Sequence, residues 1–131
     1  MKKPYLSLCL SILLIASAGN LSAGEMPASG EIVPGVPVKN SVTLVDLGAT
    51  TCIPCKMMAP ILEELKTEYK SRAEIIFIDV HEKPDMAKPF TLMAIPTQIV
   101  YDRQGKEVFR HVGFLEKKGL KEQLDKSLAV M

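Results

Sequence analysis

VTLVDLGATTCIPCKMMAPILEELKTEY, residues 42–69, passes from an apolar segment through a glycine and two closely spaced cysteines into a helix-patterned run. Residues 42–48, rich in Val, Leu and Thr and bounded by Gly48, read as a buried strand interrupted by one acid, Asp46. From Pro54 to about Tyr69, Met57, Met58, Ile61, Leu62, Leu65 and Tyr69 recur at three- and four-residue spacing. Lys56, Glu63, Glu64, Lys66 and Glu68 lie between them, so the pattern predicts an amphipathic helix. Pro54 suits its first turn, whereas Pro60 removes a backbone donor inside it and predicts a kink. On the apolar stripe Met57 and Met58 read as core residues.

A C-x-x-C at such a junction places the first sulfur beside the unpaired N–H groups and positive dipole end of the helix. Because the thiolate is the attacking form, Cys52 is the candidate nucleophile and Cys55, one turn later, the resolving thiol. A zinc site would need further ligands, and the other donors, His81 and His111, are isolated in sequence. Lys56 follows Cys55 where a covalent haem site would require histidine. A purely structural bridge would close a loop too short to constrain much of the unfolded chain.

Further along, EIIFIDV (74–80) reads as a second buried strand, and PDMAKPFTL (84–92) allows a short helix broken at Pro89. TQIVYD (97–102), RQG (103–105) and KEVFRHV (106–112) read as a hairpin, and residues 116–130 as a closing helix with Leu120, Leu124 and Leu128 on one stripe. A crossover helix makes the first two strands parallel and the hairpin makes the last two antiparallel. The expected class is α/β, a mixed sheet with helices on its faces.

The 131 residues suit one domain preceded by a leader. Lys2 and Lys3, an uncharged stretch and small residues at its end give residues 1–23 the layout of a signal peptide, cleaved after Ala18 or Ala23. The rival reading is an uncleaved membrane anchor, although six Ser, Gly and Asn residues dilute the apolar run. Cys9 reads as a small apolar residue within this leader. Residues 24–40, with three prolines and three glycines, read as a tether or irregular edge, and 41–131 as the folded domain. Loss of Lys2 and Lys3 takes the formal charge from +1 to −1, which carries no electrostatic footprint for nucleic acid. The expected location is beyond the cytoplasmic membrane, periplasmic or otherwise exported, where disulfides persist.

With LVDLGATTCIPCKMMAPILEEL, AIPT (94–97), QGKEV and HVGF all read, the chain from about residue 42 to 128 resembles the thioredoxin family. The resemblance implies a thioredoxin-like fold whose N-terminal strand-helix unit is reduced or missing. It implies Cys52 as nucleophile, Cys55 as resolving thiol, Asp46 as a buried acid beneath them and Pro96 as a cis-proline facing the sulfurs. Thr51, Ile53, Pro54, Ile95 and Gly113 would then line the groove for an extended substrate, Ile95 through its backbone and Gly113 by leaving room. Burial would raise the Asp46 pKa and suit it to accept the Cys55 proton.

The chain departs from the family pattern by carrying Gly48 and Thr51 at tryptophan positions, Ile-Pro between the cysteines, and Phe77 where cytoplasmic members place a lysine. Ile53, Met57, Met93 and Phe114 would add an apolar rim; His81, His111 and Lys56 read as surface residues. Neither Ile53 nor Pro54 offers a side-chain donor to the first thiolate, which favours the disulfide and predicts a reductant. The expected activity is a protein-disulfide reductase. It needs no cofactor beyond the Cys52–Cys55 disulfide and no metal, and acts as a monomer on protein disulfides with electrons from a membrane thiol-disulfide transporter. The alternatives are a non-catalytic binding module on this scaffold, a soft-metal-binding protein, or a net oxidant or isomerase.

Overall fold

In a computed structural model the chain is described over residues 35–130. The leader, its cleavage point and Cys9 lie outside them. Strand β1 (Val42–Gly48) leads through four residues into helix α1 (Ile53–Glu68) and then strand β2 (Ala73–Asp79). Helix α2 (Pro84–Ala87) continues into a 3-10 turn (Lys88–Phe90), followed by β3 (Thr97–Tyr101), β4 (Glu107–Val112) and α3 (Lys117–Ala129). The sheet order is β2-β1-β3-β4, with β1 parallel to β2 and antiparallel to β3, and β3 antiparallel to β4. This is the mixed α/β sheet of a thioredoxin-like fold. Among the described residues no strand or helix precedes β1.

All seven residues of β1 are buried because both faces of the sheet are covered. On one face Val42, Leu44, Ile75 and Val100 meet Met58, Leu62 and Leu65 of α1 and Leu120 and Leu124 of α3. On the other, Val45, Leu47, Ile78 and Ile99 meet Ala87, Phe90 and Val36. Each fully buried Leu, Ile or Met side chain contributes about 1.5–3 kcal/mol relative to its exposed state. Both cores flank β1, so the strand carrying Asp46 and Gly48 is buried on both faces.

Residues 35–40 are not a free tether. Val36 is buried in the second core, and Val38 N–H donates to Thr43 Oγ1 at 3.0 Å. The folded body therefore extends back to Val36. The stripe of α1 also needs a correction at Met57, which is 53% exposed while Met58 is fully buried. Three- and four-residue spacing cannot decide which of two adjacent methionines turns inward, because both border the stripe.

Where α1 ends, the Tyr69 hydroxyl donates to Asp125 Oδ1 at 2.7 Å, and burial pushes its pKa up to about 12. Beside it Lys117 reaches Glu64 at 2.6 Å and also contacts Glu68, which Lys121 meets at 2.6 Å. These two lysines hold the Glu68 carboxyl well below the usual range, at about 2. The cluster fastens α3 to α1 on the side of the molecule away from the cysteines.

Candidate functional site

Cys52 is the N-cap of α1, with extended φ and ψ of −90° and 122°. Its carbonyl accepts the Lys56 N–H at 3.0 Å, and its sulfur accepts the Cys55 N–H at 3.4 Å. Pro54 stands in the first turn and no acidic side chain does, so the positive end of the helix faces the sulfur unopposed. Cys52 and Cys55 are joined as a disulfide with Cα atoms 5.2 Å apart. Cys52 is half-buried, whereas Cys55 is only 4% exposed. Attack from outside is therefore open to the first sulfur and closed to the second.

Gly48 is the floor under this pair. A methyl group at its Cα would lie 3.1 Å from Cys55 Cβ, 3.2 Å from Cys55 Sγ and 3.1 Å from a ring carbon of Phe77. The Phe77 ring thus fills the space over Gly48 and touches the same volume as the second sulfur. Asp46 lies two residues earlier on the same strand face, opposite Phe77 on β2 and Gln98 on β3. It is fully buried, and Gln98 Nε2 donates to its Oδ1 at 2.8 Å. Burial pushes the carboxyl up to about 6, opposed by the Gln98 hydrogen bond.

The Ile95–Pro96 peptide bond is cis. Thr97 pairs with Leu47, which brings the buried Pro96 to the level of Gly48 at the cysteine end of the sheet. The Pro96 carbonyl accepts the Gly113 N–H at 2.8 Å, tying the end of β4 to this loop. Gly113 has φ +104°, and an added methyl would meet nothing within 4 Å. Glycine is thus required there by the backbone rather than by crowding within the chain. Ile53 is 74% and Met93 91% exposed, and Met57, Val112 and Phe114 are also exposed, so an apolar rim is available on elements that converge at this end. Thr51 is exposed, and Pro54, Ile95 and Gly113 are half-buried. His81 and Lys56 are exposed, while the half-buried His111 ring lies 3.3 Å from the Phe114 carbonyl.

Two side chains at the site escape a reading of the sequence. Gln98 has no motif, and its role comes from cross-strand register with Asp46. Asp79 ends β2, and its Oδ2 accepts the Thr50 N–H at 2.9 Å. Its Oδ1 accepts from His81 and Glu82 N–H at 2.9 and 3.1 Å. The Thr50 bond, with the other two, lowers its pKa. Asp79 thereby pins the loop that delivers Cys52 to the helix. The signal available in the sequence is an acid at a strand end before a polar loop, where exposed N–H groups are common. Among the described residues no three His, Cys, Asp or Glu side chains group as metal ligands.

Comparison with known proteins agrees with this geometry. The family model described as Thioredoxin matches residues 35–126. Thioredoxins of Staphylococcus aureus strains Mu50 and COL are each 48% identical to the chain over 91 residues, covering 70% of this chain and 86% of the relative.

Proposed function

The chain belongs to the thioredoxin family and is a thiol-disulfide oxidoreductase; on that premise we propose that it reduces protein disulfides outside the cytoplasm. The observation that carries this reading is the unequal placement of the two sulfurs: Cys52 open at the head of α1, Cys55 enclosed behind it. The Cys52 thiolate attacks one sulfur of a partner disulfide, and the partner's other sulfur leaves as a thiolate. Cys55 then attacks the Cys52 sulfur while its proton passes to Asp46, directly or through water. The S–S bond to the partner breaks, its second sulfur leaves, and the Cys52–Cys55 disulfide forms. Two electrons have passed from the chain to the partner.

The exposed apolar rim supports a protein partner laid across the site in extended form. The leader composition supports export, and in an oxidising compartment the disulfide must be reduced again by a dithiol donor, for which a membrane thiol-disulfide transporter is the chemical class. Direction follows from the absence of any side-chain donor at Ile53 and Pro54 to stabilise the Cys52 thiolate.

Insulin reduction tests the reading. The wild type should turn over with dithiothreitol as donor, Cys52→Ser should be inactive, and Cys55→Ser should accumulate mixed disulfides with its partners. Absent wild-type turnover together with stoichiometric metal uptake would leave a binding protein instead. A reduction potential above about −180 mV would reverse the direction of electron flow to oxidation or isomerisation.

A further inference from the structure

Phe77, Asp46, Gln98 and His111 form one row across β2, β1, β3 and β4, paired strand to strand. Asp46 and Gln98 are both fully buried and are joined by the single bond from Nε2 to Oδ1. Among the described residues, the buried side-chain atoms lacking any hydrogen-bond partner are Asp46 Oδ2 and Gln98 Oε1, the two remaining oxygens of this same pair. Two acceptors buried without a donor are costly, and a buried oxygen left unpaired in a well-packed core calls for a reason. Adding one proton to Asp46 supplies the missing donor. A carboxylic acid and a primary amide match at two points, N–H to one carboxyl oxygen and O–H to the amide carbonyl.

We propose that Gln98 is the positioning residue for the proton step of the exchange: its amide holds Asp46 by Oδ1, leaving Oδ2 to receive the Cys55 proton, and its carbonyl Oε1 then accepts the hydrogen bond of the acid so formed. The inference rests on the oxidoreductase reading above. In the resolving step Cys55 gives its proton to Asp46 Oδ2 and its electron pair to the Cys52 sulfur, and the partner sulfur leaves with the electron pair of the broken bond. The neutral acid is held by Gln98 until a proton acceptor in solution removes the proton. Gln98 can serve both charge states of Asp46 because an amide carries a donor and an acceptor on one edge. A lysine in this place would favour only the carboxylate.

The surroundings isolate this pair. From β2 the paired neighbour is Phe77, and α1 brings Cys55 over Gly48, two residues along the same strand face, with Lys56 exposed. From β4 the neighbour of Gln98 is His111, whose ring lies against the Phe114 carbonyl. At the head of α3, Glu116 is exposed and Lys117 is engaged by Glu64 and Glu68. The influences that set Asp46 are its burial and Gln98.

The test replaces Gln98 with Met, which keeps the length and loses both hydrogen-bonding atoms, and with Leu as a second apolar variant should Met fail to fold. Infrared titration of the carboxylic acid band in the disulfide form, where no thiol titrates, reads Asp46 directly; Asp46→Asn identifies the band. Met removes both the amide N–H, whose bond to the carboxylate is charge-assisted, and the weaker acceptor of the neutral acid; the first outweighs the second, so the Asp46 midpoint should rise, by up to about one pH unit. The pH profile of the resolving step, followed by single-turnover release of a thiol from a Cys52 mixed disulfide, should move by the same amount. In an Asp46→Asn background the Gln98 change should leave that profile where it is. A folded Gln98 variant whose band and profile both stay at the wild-type position overturns the proposal. If the band moves but the wild type shows no exchange, the oxidoreductase reading fails and Gln98 is left as a structural partner only, which also overturns it.

Discussion

Asp46 and Glu68 carry the same functional group and are driven in opposite directions. Asp46, sealed in β1 two residues before Gly48, is pushed up to about 6; Glu68, at the outer end of α1 between Lys117 and Lys121, is drawn down to about 2. For Asp46 the cause is loss of water with one neutral hydrogen bond in exchange, and for Glu68 it is a pair of ammonium groups in a half-open setting. The first arrangement keeps a proton within reach of neutral pH at the expense of stability. The second favours the fold and holds no proton in any ordinary condition.

The two acids therefore contribute opposite limbs to a plot of stability against pH. Folded Asp46 binds its proton more tightly than the unfolded chain does, so stability falls as pH rises from 3.8 through about 6. Folded Glu68 binds its proton more weakly, so its contribution is present above 4.5 and is lost as pH falls toward about 2.

Removing the first acid is the sharpest way to separate these limbs. Asp46→Asn should slow the resolving step by on the order of 10²-fold, the lower range for general acid-base catalysis. The same variant should raise unfolding free energy at pH 7 by up to about 3 kcal/mol, with the gain vanishing below pH 4. Denaturant melts at pH 4 and 7 check this, and an unchanged difference between the two would break the contrast. Asp79→Ala should come next, since it frees the Thr50 loop and lets Cys52 shift. Misplacement on the ångström scale costs up to about 10²-fold in rate, and loss through Asp79 should fall below the Asp46 effect with no change in the pH profile. Gly48→Ala should cost about 1–3 kcal/mol by crowding Cys55 and Phe77, and Phe77→Ala in the same chain should recover part of it. The smallest effect belongs to Glu68→Gln: a slight fall in Tm at neutral pH that disappears at high salt, with turnover untouched.

Much of the fold is legible in the sequence because strand and helix patterns agree with the punctuation around them. The cysteine pair, Pro96 and Gly113 are legible because each belongs to a local motif. The environment of Asp46 is different. Its partner Gln98 is separated from it by the whole of α1 and β2, and only strand register brings them together. In TQIVY four successive residues are buried, one face against each core, so no alternation marks Gln98 as an inward polar group. Met57 fails for a related reason, since periodicity locates a stripe but not its border, whereas Met58 is buried as the stripe predicts. The clamp of Lys117 and Lys121 on Glu68 depends on the crossing of α1 and α3, which no local pattern encodes.

Val36 and Pro37 give the molecule a direction. Pro37 lies beside Gly105 in the β3–β4 turn, and Val38 is tied to Thr43 near the start of β1, so the backbone enters the body at the end of the sheet remote from the sulfurs. β1 spans the distance between entry and reactive tip, about 20 Å. The described body thus has a blunt end, where Pro37 and Val38 sit, and the cysteines stand at the opposite end like the working tip of a probe.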